Sequence, residues 1–180
     1  MDDRELVDAV RAGDAQAFQA LVERETAPVF RTCYRTLGRI HDAEDAAQEA
    51  FVIAYRAIGT YRGEGSLSAW LARIATRHAL RRASQRREVG WLDPAAPGGL
   101  DVAAPSDPLA ELVSMERHAT VRRAVAGLPE PYREVVALRY FAELSLAQIA
   151  EATGRPLGTV KTHLHRGLAR LRERLDREAA

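Results

Sequence analysis

The sequence has a single cysteine, Cys33, so no internal disulfide framework can hold the chain together. Cys33 stands in VFRTCYRTL among apolar neighbours, the setting of a small buried side chain. Aromatic residues are scarce, at 6% of the chain, whereas Ala, Leu and Arg are abundant, a balance that favours helices over sheets. No apolar run approaches the ~18 residues needed to cross a bilayer. The opening MDDRELVDAV is acidic and lacks the basic-then-apolar order of a secretory leader. Membrane insertion is therefore not expected, and the cytoplasm is the expected location. No Gly-rich phosphate loop, metal-ligand cluster or nucleophile–base set is present, so an enzyme is not expected, nor a cofactor. His163 and His165 are two residues apart and would point in different directions on a helix, so no metal site is expected either.

What the chain does have is charge sorted into blocks. Its formal net charge is +1, yet residues 1–60 carry 11 acidic and 7 basic side chains, and residues 61–88 carry 7 basic and 2 acidic. Residues 89–116 hold 5 acidic side chains and no basic one, and residues 117–180 hold 12 basic and 7 acidic. Two basic blocks around an acidic spacer suggest two surfaces that face a polyanion. The spacer contains VGWLDPAAPGGLDVAAPSDPLA, residues 89–110, in which Pro94, Pro97, Pro105, Pro108, Gly98 and Gly99 deny a continuous helix. It reads as a linker between a domain at 1–88 and one at 111–180. Such a segment reaches at most ~75 Å and spans nearer ~25 Å as a coil, so the domains could grip separated sites.

The apolar spacing predicts an all-α chain. Four helices precede the linker, at about residues 3–12, 15–37, 42–58 and 67–82, with Asp14 and Ser66 as caps and Pro28 as a kink. In the third, Ala43, Ala46, Ala47, Ala50, Phe51, Ala54 and Ile58 share one face. In the fourth, Leu67, Leu71, Ile74, Ala75 and Leu80 face inward, and Trp70 reads as core. After the linker, helices are expected at about residues 109–126, 132–141, 146–153 and 157–177. Ser145 caps the third of these, Gly154 makes the turn that follows, and Pro156 suits the start of the last.

The last helix carries an unusual polar side. On a helical wheel Leu157, Val160, Leu164, Leu168, Leu171 and Leu175 gather on one side. Gly158, Lys161, Thr162, His165, Arg166 and Ala169 fall opposite. Cations, hydrogen-bonding groups and small residues on one face, preceded by a short helix and a glycine turn, make a helix-turn-helix unit. The second helix of such a unit can lie in a DNA major groove.

LPEPYREVVALRYFAELSLAQIAEATGRPLGTVKTHLHRGLARLR then resembles the promoter-reading C-terminal domain of bacterial sigma factors of the extracytoplasmic-function (ECF) group. The resemblance implies recognition of the upstream, −35, promoter element by Gly158, Thr159, Lys161, Thr162, His165 and Arg166. DAEDAAQEAFVIAYRAI resembles the helix by which the same family docks on a coiled coil of RNA polymerase, and it implies Asp45, Gln48 and Glu49 as docking residues. YRGEGSLSAWLARIATRHAL resembles the segment that opens the downstream, −10, element. That resemblance implies a pocket for an extruded base, drawn from Tyr61, Arg62, Gly63, Glu64 and Ser66 on a loop and Arg73, Arg77 and His78 on the helix. Arg81, Arg82, Arg86 and Arg87 would meet phosphates. His78 and His163 stand where the family commonly has Asn and a basic residue. The resemblance implies three partners, namely core RNA polymerase, promoter DNA and an anti-sigma factor. A DNA-binding regulator that acts without polymerase is the competing reading. It would explain the C-terminal unit but leave the first two segments without a use.

Overall fold

In a computed structural model of the protein, the backbone is described for residues 2–88 and 108–179, and side chains for residues 2–85 and 114–177. The expected linker, residues 89–110, thus lies almost wholly outside the described residues, as do the side chains of Arg86 and Arg87. Eight helices and no strand occur among the described residues. They are α1 Asp3–Arg11, α2 Ala15–Leu37, α3 Ile40–Ala57, α4 Leu67–Glu88, α5 Pro108–Ala126, α6 Tyr132–Tyr140, α7 Leu146–Thr153 and α8 Leu157–Ala179. A single 3-10 turn, Ile58–Thr60, follows α3.

Local chemistry sets several of these ends. Asp2 and Glu5 form a reciprocal capping box at the start of α1, at 2.8 and 3.0 Å. Asp14 accepts from the Gln16 and Ala17 amides at the start of α2. Ser145 and Gln148 repeat the box at α7. The helix α2 runs on through Pro28 rather than breaking there. The pattern places the start of α3 at residue 42, but the helix begins at Ile40, and its preceding residue Arg39 makes no side-chain cap bond.

The first half is a bundle of α2, α3 and α4 with α1 laid on its side. Every expected inward residue of α3 is buried, and the alanines let α2 and α4 approach it closely. Cys33 is fully buried in this core, and burial pushes its thiol up to about 12, against a small opposing effect of the Arg82 charge. Trp70 packs against the same core, edge-on to Tyr61. The second half is built from α5 to α8 around Val135, Leu138, Ile149 and Val160.

The two halves touch, which the sequence did not suggest. The helix α4 is buried on two sides. Leu67, Leu71, Ala75 and Ala79 face the first half. Ala69 and Leu80 instead join the apolar clusters of the second half, with Ala72 packed beside Ala69. Leu80 is 5% exposed among Val125, Leu128, Val136, Ala137 and Phe141. Polar ties cross the same boundary. Arg35 Nη1 lies 2.8 Å from Glu143 Oε2, and Arg73 Nη1 donates to the Ala152 carbonyl at 2.9 Å.

Candidate nucleic-acid interface

The helix-turn-helix is α7, the turn at Gly154 and α8. Gly154 adopts φ +66°, a left-handed conformation that L side chains resist, and its N–H returns to the carbonyls of Ala150 and Glu151. That turn aims the first turns of α8 outward. Lys161, Thr162, His165 and Arg166 are all exposed, and Thr159 is half-buried. Thr162 Oγ1 donates to the Gly158 carbonyl at 3.0 Å. A Cβ at Gly158 would meet nothing within 4 Å, so packing within the chain does not require glycine there. Gly167 is different, since a Cβ would fall 2.7 Å from Val136 and wedge α8 away from α6. Leu157 departs from the expected inward face. It is 41% exposed at the first residue of α8. His163 turns inward, edge-on to Tyr132, with Arg170 over the same ring at 5.0 Å.

The loop of residues 61–66 and α4 form the second basic surface. Arg62, Gly63 and Glu64 are exposed on the loop, and Arg77 and Arg81 on the helix. Ser66 Oγ accepts from the Ala69 amide and caps α4, as expected. Four expected contacts are engaged elsewhere. Tyr61 is buried beneath the loop, and its hydroxyl donates to the Gly65 carbonyl, so its ring is not free to stack on a base. His78 and Arg82 turn toward α3 rather than toward solvent. His78 Nε2 lies 2.7 Å from Glu49 Oε2, off the line of a hydrogen bond, and the two form an ion pair when the imidazole is protonated. Arg82 reaches Glu49 at 3.4 Å and Asp45 at 3.7 Å. The fourth, Arg73, is held by the second half.

The expected docking residues Asp45, Gln48 and Glu49 are all exposed on α3. Val52 continues their face one turn on and is 49% exposed. Through His78 and Arg82, this face is tied directly to α4.

Glu134 is the acid that holds Arg73. It is 5% exposed, with Arg73 Nε at 2.9 Å, Arg155 Nη1 at 2.9 Å and Arg77 Nε at 3.9 Å. Burial pushes its carboxyl up, but the hydrogen bond and charge of Arg73, then Arg155 and Arg77, outweigh burial and hold it below its ordinary 4.5. A carboxylate depressed in the folded state stabilises it above the unfolded value, and that contribution fades as pH falls through the folded value. Glu134→Gln is therefore expected to lose on the order of 2 kcal/mol near neutral pH. Its deficit relative to the parent chain should close well below pH 4.5. Thermal melts of both chains across that range measure it, and a deficit that persists in acid would show that the charge is not what matters.

Asp3, Arg11 and Glu134 are contacts the sequence reading missed. Each has a partner 50 or more residues away, in Leu67, Tyr61 and Arg73 respectively, and local spacing carries no signal for those pairs. The Asp2–Glu5 capping box is a local sign that α1 is firmly built.

Residues 21–89 match the family model described as sigma-70 region 2, and residues 118–171 match sigma-70 region 4. The chain is 38% identical over 173 residues to the ECF RNA polymerase sigma factor SigW of Bacillus subtilis, covering 92% of each. It is 33% identical over 189 residues to the RNA polymerase sigma-H factor of Pseudomonas aeruginosa, covering 97% of this chain and 92% of that one. It is 33% identical over 183 residues to the ECF RNA polymerase sigma-E factor of Escherichia coli, covering 98% and 93%. Among solved structures, CnrH in complex with the cytosolic domain of CnrY superposes with a TM-score of 0.60 at 23% identity, covering 97% of each chain. RpoE from Bartonella quintana, in complex with the anti-sigma factor NepR, gives 0.55 at 19% identity, covering 90% of this chain and 98% of that one. At those identities the two structures bear on the fold alone.

Proposed function

The chain belongs to the extracytoplasmic-function sigma factors of the sigma-70 family, and from that we propose that it is a promoter-specificity subunit of bacterial RNA polymerase. It works by binding and orienting, not by catalysis, and it acts in the cytoplasm. Residues 1–88 dock on core polymerase through Asp45, Gln48 and Glu49. The 61–66 loop and α4 then take the downstream element as it opens. Unpaired bases expose faces and edges to such a loop, and capture of one offsets a few kcal/mol of unstacking. Residues 111–180 read the upstream element in duplex form. An anti-sigma factor is a further partner, as it is for RpoE in its complex with NepR.

The observation that carries this reading is the exposed quartet Lys161, Thr162, His165 and Arg166 in the first turns of α8, beside a glycine that packing does not require. A residue that reads a base edge contributes about 1–3 kcal/mol at one position, whereas a phosphate contact weakens all sequences alike. Arg166→Ala is expected to relax preference at one position of the upstream element, and Arg172→Ala, further along α8, is not. Binding across single-base substitutions at fixed salt tests this. Equal weakening at every site would reduce Arg166 to an anchor.

This arrangement of the halves is closed. With Arg73 held by Glu134 and the Ala152 carbonyl, the downstream element meets the full face of α4 only after the halves separate. Thr76 Oγ1 is buried without a partner on α4.

A further inference from the structure

We propose that α1 is a positioning element for strand opening, with Arg11 and Asp3 fixing the two ends of the 61–66 loop. The proposal rests on the reading of that loop as the one that captures an extruded base. At the entry to the loop, Arg11 Nη2 donates to the Tyr61 carbonyl at 2.5 Å and to the Ile58 carbonyl at 3.3 Å. At the exit, Asp3 Oδ2 accepts the Leu67 amide at 2.9 Å, at the first residue of α4. Arg24 Nη2 fixes the other oxygen of Asp3 at 2.8 Å. Between the ends, the Tyr61 hydroxyl reaches the Gly65 carbonyl at 2.7 Å and closes the loop on itself.

The packing beneath serves the same end. Leu6, Val7 and Val10 of α1 share one buried cluster with Ile58, Tyr61 and Leu67. The loop is thus anchored at both ends and underneath, while its tip stays exposed. Gly63 and Gly65, at φ +75° and +81°, shape that tip and would leave it loose without such anchors. A cleft of about 550 Å³ opens between α1 and the loop, with Arg4 and Asp8 on one wall and Arg62 and Gly63 on the other. A loop held in one shape loses less conformational freedom when it captures a base, so anchoring lowers the barrier to opening without adding a DNA contact.

The experiment uses the full chain with core polymerase and a matched promoter. The variants are Arg11→Ala, Asp3→Ala and Asp3→Asn, the last keeping an oxygen for the Leu67 amide. Arg11→Ala and Asp3→Ala are expected to lower permanganate reactivity of the opened strand by about tenfold, the cost of ordering an unanchored loop as the base is captured. Polymerase affinity and duplex upstream-element binding should stay within about twofold, inside the spread of surface substitutions. A template already unpaired across the downstream element should restore initiation, and Asp3→Asn should keep most of the opening. Full reactivity in Arg11→Ala, or parallel loss of all three activities, would overturn the role of α1. Exchange of residues 62–66 for a neutral flexible segment separates the two failures. If that exchange leaves opening intact, the base-capturing reading of the loop falls, and the positioning role falls with it. If the exchange abolishes opening while Arg11→Ala does not, only the positioning role falls.

Discussion

A chain carrying Leu80→Arg is expected to come apart between its halves while each half stays folded. Leu80 belongs to α4, but every other buried member of its cluster lies in the second half. A guanidinium there would be buried with no acid designed for it, and an unpaired buried charge costs several kcal/mol. Loss of the leucine removes roughly a further 2 kcal/mol of apolar burial. Separation avoids both penalties, since α4 keeps its first-half face through Leu71, Ala75 and Ala79. Small-angle scattering should show an expanded chain, and circular dichroism unchanged helicity. The consequence for binding is selective. Lys161, Thr162, His165 and Arg166 are exposed in the closed form, so affinity for an upstream-element duplex should not change. Affinity of the free chain for single-stranded downstream-element DNA should rise by about tenfold or more, because a site populated only in a minor form binds in proportion to that population. A chain that stays compact, or that expands with no gain for single strands, would refute the masking of α4. Ala69→Glu, placed in the other shared cluster, gives an independent wedge.

This interface marks the limit of what local pattern reveals. The spacing of Ala43, Ala46, Ala47, Ala50 and Ala54 forecast the inner face of α3 because one stripe served one core. Asp14, Ser145 and Gly154 forecast their helix ends because caps act within a few residues. The helix α4 defied the same method. Its apolar residues serve two cores, so Leu80 looked like one more member of a single inner face. Arg73 and Glu134 are 61 positions apart, and nothing near either one announces the pair. Tyr61 and His78 were legible as members of the downstream-element segment but not as to direction. One turns under the loop, and the other turns toward Glu49. Side-chain direction at a shared boundary is decided by the neighbour across it, and that neighbour is set by the fold rather than by the local sequence.

Replacing Asp45, Gln48 and Glu49 together with alanine is expected to weaken binding to core polymerase by on the order of a hundredfold, the scale of a central hot spot. The three form one exposed strip on α3 with Val52, at the spacing that puts side chains in a row. An acidic and amide strip beside an apolar residue suits a partner surface rich in arginine, where charge speeds association and fixes register. The same carboxylates are already contacted by Arg82 and His78. Docking through this strip would compete with internal pairs that are only partly buried, and would free the Arg82 guanidinium and the His78 side chain on α4. The triple variant should keep its fold, because all three side chains are exposed and the inner face of α3 is untouched. Titration of labelled chain with core polymerase at low and high salt measures the effect. The parent chain should lose affinity as salt rises, and the variant should lose much less. Unchanged affinity with normal helicity would move the docking surface off α3. A large loss that leaves the salt dependence intact would show instead that the apolar neighbours, Val52 foremost, carry the contact.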